Sequence, residues 1–213
     1  MSNTIFIIGG ARSGKSGYAL ELGSEIPGRK GFLATAEALD EEMKQRILLH
    51  QEARPSEWET IEEPIYLSKR LHDISGLYDV VIVDCLTLWL SNMLGRGEDS
   101  EPPRGNIDIL RQAQDDNHSV MEPCHSELVE LLSNHGVFSG ERIKTEIVEL
   151  ASVLKDIRCK VIVVSNEVGL GIVPENKMAR LFRDLGGWMN QKVAAAAGEV
   201  YLVTCGIPVK IKG

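Results

Sequence analysis

Residues 4–16 read TIFIIGGARSGKS. Thr4 to Ile8 form a short run rich in β-branched residues, which suits a buried strand. The pattern Gly-x-x-x-x-Gly-Lys-Ser follows at once, with Gly9, Gly14, Lys15 and Ser16 at its fixed positions and Gly10, Ala11, Arg12 and Ser13 between. A helical pattern then runs over roughly residues 15–24. Strand, glycine-rich turn and helix in that order build a phosphate cradle. The glycines let backbone N–H groups converge on an anion, and the helix presents its positive end to the same point. Lys15 is placed to reach the terminal phosphates, and the Ser16 hydroxyl to hold Mg²⁺.

Outward from that stretch, short apolar runs alternate with helical ones. Residues 31–34, 80–84, 160–165 and 199–203 read as further buried strands. Helical patterns cover roughly 39–53, 64–74, 86–95, 141–157 and 175–197. The alternation predicts an α/β, P-loop NTPase-like three-layer fold with a mostly parallel sheet between helices. The last residues, EVYLVTCGIPVKIKG, form two strand-like runs about Cys205-Gly206 and predict a C-terminal antiparallel hairpin. The whole chain, 1–213, reads as a single nucleotide-binding domain. Residues 95–140 are a polar and helical excursion within it, beginning rich in glycine and proline.

Composition narrows the partners. A formal charge of -8 opposes general nucleic-acid binding, so an anionic ligand needs a local cradle. The four cysteines, Cys85, Cys124, Cys159 and Cys205, lack paired spacing and read as free thiols in a reducing compartment. The N-terminal run has no basic segment or cleavage site, and the longest apolar run is too short and polar to cross a membrane. A cytoplasmic protein without a membrane span is expected.

Two further residues draw attention. Asp84 ends the strand run VVIVD, where the carboxyl end of a parallel strand faces the ligand crevice and a second Mg²⁺ anchor belongs. In RILLHQEARP, residues 46–55, Arg46, His50 and Arg54 recur every fourth position and would share one helix face, although Pro55 disfavours helix at Arg54. The stripe by itself leaves His50 open as a solvated residue or a nucleophile.

Four blocks together resemble the bifunctional adenosylcobinamide kinase / adenosylcobinamide-phosphate guanylyltransferase family of cobalamin biosynthesis. They are GGARSGKS, then residues 32–64 around RILLH with Arg54, Trp58 and Glu62, then VDCLTLWLSNML at 83–94, and then residues 164–212 from VSNEVGLGIVP onward. The glycine-rich loop is common to many enzymes, whereas the second and fourth blocks are particular to this family. The polar stretch 95–140 departs from the family's compact pattern.

The resemblance implies that His50 carries a covalent GMP, so that His50 and Lys15 are the catalytic residues. It implies nucleotide contacts from Gly9, Gly10, Ala11, Arg12, Ser13, Gly14, Lys15 and Ser16, from Ala34, Thr35 and Ala36, from Gln51, Glu52, Ala53 and Arg54, and from Glu62 and Asp84. Glu62 is a candidate acceptor for the guanine N–H groups. Mg²⁺ would be held by Ser16 and Asp84. GTP and ATP are the implied nucleotide substrates, adenosylcobinamide and its phosphate the other partners, and a homotrimer the implied assembly. Two other readings stand beside it: a single-activity P-loop kinase for another small alcohol, and a non-enzymatic nucleotide-dependent switch.

Overall fold

A computed structural model describes residues 2–38, 41–52, 54–95 and 140–213, with Glu42, Arg46 and His50 described by their backbone alone. The expected excursion thus lies, from 96 to 139, outside the described residues.

The described chain builds seven strands and six helices. In order they are β1 (Thr4–Gly9), α1 (Lys15–Ser24), β2 (Lys30–Ala34), α2 (Glu41–Glu52), β3 (Trp58–Glu62), α3 (Leu67–Ile74), β4 (Val80–Asp84), α4 (Leu86–Gly95), α5 (Gly140–Asp156), β5 (Lys160–Asn166), α6 (Lys177–Ala196), β6 (Glu199–Thr204) and β7 (Ile207–Lys212). They form one sheet in the order β3-β2-β4-β5-β1-β6-β7. Every pairing is parallel except that of β6 with β7.

Period-two alternation explains why the central strands read as continuous apolar runs. Phe6, Ile8, Leu33, Val81, Val83, Val161 and Val163 point into the core under α3, α4, α5 and α6. Ile5, Ile7, Phe32, Val80, Ile82, Ile162 and Val164 point the other way, into the core that holds Ala19 of α1. A strand buried on both faces has no polar face to show. The expected three layers follow from this double burial.

The terminal hairpin is present. Its two turn residues, Cys205 and Gly206, have φ of 52° and 79°. Two successive positive φ values match the right-handed twist of the flanking strands, as a two-residue hairpin turn requires.

Two expectations change. Strand β3 is an addition, since its residues, WETIE, bury only Trp58 and Ile61 and expose Glu59, Thr60 and Glu62. As an edge strand it carries a polar surface that resembles a loop in sequence. Helix α3 begins at Leu67 instead of near residue 64. Glu63 there accepts hydrogen bonds on Oε1 from the backbone N–H of Ile65 (3.0 Å) and of Tyr66 (2.7 Å), which fixes a turn around Pro64 before the helix.

Candidate nucleotide site

The glycine-rich loop leaves β1 and enters α1 over the carboxyl edge of the sheet. Its backbone curls through left-handed conformations at Arg12 (φ 55°) and Gly14 (φ 96°). Gly14 is required twice over. A side chain there would be strained at that φ, and its Cβ would stand 3.2 Å from the Cα of Gly206. Gly206 N–H also donates to the Ser13 carbonyl at 2.9 Å. The terminal hairpin turn therefore braces the phosphate loop.

Lys15 is buried, and its Nζ donates to the Gly10 carbonyl at 2.9 Å. Burial pushes its ammonium below the usual lysine range, while Cys85 and Asp84 nearby oppose that shift. Ser16 lies half-buried in the first turn of α1. The Ser13 hydroxyl is buried with no protein hydrogen-bond partner.

Register aligns the acidic side of the site. Ala34 on β2 pairs with Glu62 on β3 and with Asp84 on β4, so these three residues form one row at the carboxyl edge. Strand β5 lies between β4 and β1, and its last residue, Asn166, pairs with Gly9. Glu167 N–H donates to the Gly9 carbonyl at 2.9 Å. Asp84, Asn166 and the phosphate loop thus stand side by side.

Beneath this row runs a buried polar network. The Thr35 hydroxyl donates to the Cys85 carbonyl (2.8 Å) and accepts from the Cys85 N–H (2.9 Å). Asn92 Nδ2 donates to the Thr35 carbonyl at 2.7 Å. Asn166 Nδ2 donates to the Thr87 hydroxyl at 2.8 Å, and that hydroxyl lies 2.7 Å from the Cys85 thiol. Asn190 on α6 ties in the end of β5 by donating to the Asn166 carbonyl (3.1 Å) and accepting from the Ser165 hydroxyl (2.8 Å). Burial, and then the charge of Asp84, push the Cys85 thiol up.

Arg54 lies beyond the end of α2 and is therefore not on the helical stripe with Arg46 and His50. Its guanidinium stacks on the Phe32 ring, 3.6 Å from the centroid, and donates to the Thr60 hydroxyl at 3.0 Å. Burial lowers its pKa, against the opposing charges of Asp84 and Glu62. One small region therefore collects Lys15, Ser16, Thr35, Asp84 and Arg54, with Glu62 exposed at its rim. Ala34 is buried and Ala36 half-buried at the same sheet edge. Gln51 (half-buried) and Glu52 (exposed) belong to the last turn of α2. His50 precedes them on that turn, and Ala53 lies outside the described residues.

Four residues of this site escape a motif search: Thr87, Asn92, Ser165 and Asn190. Their signal is a polar residue inside an apolar run, as with Thr87 and Asn92 in LTLWLSNML. A buried polar side chain has to be hydrogen-bonded, and these are. Trp58 and Trp89 are core residues, and Trp188 is half-buried with Lys192 Nζ 5.3 Å from its ring centroid. Cys85, Cys159 and Cys205 are free thiols. Among the described residues no helix is long and apolar enough to cross a membrane.

The family model described as "Cobinamide kinase / cobinamide phosphate guanyltransferase" matches residues 5–211. The bifunctional adenosylcobalamin biosynthesis protein CobU of Escherichia coli K12 is 36% identical over 209 residues, which cover 98% of this chain and 99% of that one. The CobU protein of Salmonella typhimurium LT2 is also 36% identical over 209 residues. The bifunctional protein CobP of Pseudomonas aeruginosa PAO1 is 33% identical over 207 residues, 97% of this chain and 96% of its own. With a match running from the first strand to the last, the chain belongs to the CobU family of enzymes, the cobinamide kinases / cobinamide phosphate guanyltransferases.

Proposed function

We propose that this chain phosphorylates adenosylcobinamide with ATP or GTP. It then transfers GMP from GTP, through a guanylylated His50, to adenosylcobinamide phosphate, giving adenosylcobinamide-GDP. The observation that carries this reading is the convergence of a phosphate loop, Lys15, Asp84 and Arg54 at one sheet edge in a chain that matches the family from residue 5 to 211.

In the kinase step the acceptor hydroxyl oxygen bonds to the γ-phosphorus, the bond to the β–γ bridging oxygen breaks, and the hydroxyl proton leaves to solvent. The loop N–H groups and Lys15 hold the phosphates in line and offset their charge. The buried, unpartnered Ser13 hydroxyl suits a phosphate acceptor. In the second step an imidazole nitrogen of His50 attacks the α-phosphorus of GTP and pyrophosphate leaves. A phosphate oxygen of adenosylcobinamide phosphate then attacks the same phosphorus, and the P–N bond breaks with its electron pair returning to the imidazole nitrogen. Neutral imidazole is a competent nucleophile near pH 7. Arg54 offsets charge on the transferring phosphoryl group. Gln51 to Arg54, Ala34 to Ala36 and Glu62 contact the guanine nucleotide, with Glu62 accepting from guanine.

The oxygen donors Ser16 and Asp84 suit Mg²⁺, which takes few protein ligands and keeps waters and phosphate oxygens. Among the described residues no cluster of three carboxylate, His or Cys groups competes as a metal cage. When bound, the ion neutralises charge on the β- and γ-phosphates. A cytoplasmic homotrimer completes the proposal.

Incubation of the full chain with GTP labelled at the α-phosphate tests it. The reading expects an acid-labile, base-stable protein adduct that His50→Asn abolishes, and phosphorylation of adenosylcobinamide that His50→Asn retains. Phosphorylation without any adduct in the unaltered chain would reduce the protein to a kinase. Nucleotide binding with neither reaction would make it a switch.

A further inference from the structure

The loop between β5 and α6 carries an apolar surface that the nucleotide chemistry does not use. Leu170 is 89% exposed, Ile172 96% and Val173 60%. They lie in the sequence EVGLGIVPEN. Such a cluster of bare aliphatic side chains on one loop is a contact surface for something apolar.

The loop is held at both ends. Glu167 Oε1 accepts from Gly169 N–H at 2.6 Å. At the far end Arg180 Nη1 donates to the carbonyls of Pro174 (2.8 Å) and Glu175 (2.7 Å). Asn176 Oδ1 caps α6, accepting from Met178 N–H (2.8 Å) and Ala179 N–H (3.2 Å). The frame is fixed, while its tip turns aliphatic groups to solvent.

Position identifies the occupant. Glu167 N–H is hydrogen-bonded to the carbonyl of Gly9, the first glycine of the phosphate loop. From Glu167 to Leu170 is three residues, a reach of at most about 10 Å. A ligand seated on the tip therefore lies within about that reach of the residue bonded to the phosphate loop. The acceptor in the proposed reaction has this shape: a broad macrocycle with an apolar face and a hydroxyl on a flexible arm.

We infer that Leu170, Ile172 and Val173 form the resting surface for the corrin macrocycle, so that its hydroxyl arm reaches the phosphate loop. This rests on the proposed function and adds the specificity surface for its acceptor.

The test compares the full chain with a Leu170→Ser/Ile172→Ser variant and an Ile172→Leu control. KM for adenosylcobinamide, KM for GTP, thermal midpoint and solution mass are measured for each. The inference expects the corrinoid KM of the serine variant to rise about tenfold or more, from two lost apolar contacts. GTP KM, thermal midpoint and mass should stay unchanged, and Ile172→Leu should behave as the unaltered chain. An unchanged corrinoid KM in an active serine variant overturns the inference and leaves the proposed function standing. A drop in solution mass overturns it too, since a second copy of the chain would then be the occupant. A lowered thermal midpoint with the corrinoid KM unchanged points to packing within this chain and likewise overturns it. Failure of the unaltered chain to turn over adenosylcobinamide overturns both.

Discussion

In the proposed reactions Lys15 is the residue that meets the phosphates, and its surroundings bear on that role. Its ammonium is buried and held on the Gly10 carbonyl, with Asp84 near enough to oppose the downward shift of its pKa. Lys15→Ala removes a charge aimed at the phosphates and should lower kcat/KM of the kinase step by about a hundredfold to a thousandfold. Steady-state kinetics checks this, and a loss below tenfold would place the catalytic charge elsewhere. Arg54 offers the proposed transfer a fixed shape as well as a charge, because its planar group stacks on Phe32 while donating to Thr60. Arg54→Lys keeps the charge and loses the stacking and the fork. GTP KM measured on that variant should rise several-fold, roughly 1 kcal/mol of lost binding, with the thermal midpoint little changed. Both residues were legible in the sequence, Lys15 by motif and Arg54 by resemblance. The stacking of Arg54 on Phe32 was not, because it depends on α2 ending at Glu52 and on β2 lying beside β3.

At the scale of elements, the site is the meeting of strand ends, and the network beneath them keeps those ends in register. Asn190 satisfies two groups of β5 at once, the Ser165 hydroxyl and the Asn166 carbonyl. Asn190→Ala leaves both buried without that partner and should lower stability by about 1–3 kcal/mol. Urea unfolding measures this, and a change within error would mean that the network adds nothing to the fold. Elements whose two faces are both apolar, such as β1, β4 and β5, could be read from residue type alone. β3 could not, because an edge strand with one buried side shows Glu59, Thr60 and Glu62 to solvent and imitates a loop. The start of α3 differs from the expectation because the Glu63 carboxylate accepts from the N–H groups of Ile65 and Tyr66 in a turn around Pro64, and the chain becomes helical only after Tyr66. The buried network was nearly invisible, since pairing Asn190 with Ser165 requires knowing which strand α6 crosses.

For the whole molecule, a half-buried carboxyl on α5 carries a pH dependence. Burial, and then the charge of Glu149, push the Glu146 carboxyl up to about 7, with Arg142 opposing. A carboxyl whose pKa is higher folded than unfolded binds more protons in the folded state between the two values. Its contribution to stability is therefore present in full below the usual carboxylate range and is lost as pH rises toward and through about 7. Glu146→Gln should flatten thermal stability against pH between about 4.5 and 7 and raise the midpoint at pH 8; a steeper profile in the variant would contradict the assignment. The chain's formal charge of -8 makes the local cationic cradle the place where nucleotide phosphates can settle. The proposed reaction turns on His50 passing GMP from one phosphate to another. The most direct measurement is a chase: the chain labelled from α-labelled GTP, freed of nucleotide, is mixed with unlabelled adenosylcobinamide phosphate in a single turnover. The label should leave the protein and appear in adenosylcobinamide-GDP as fast as the steady-state reaction runs. Label that stays on the protein while product forms from free GTP would contradict it.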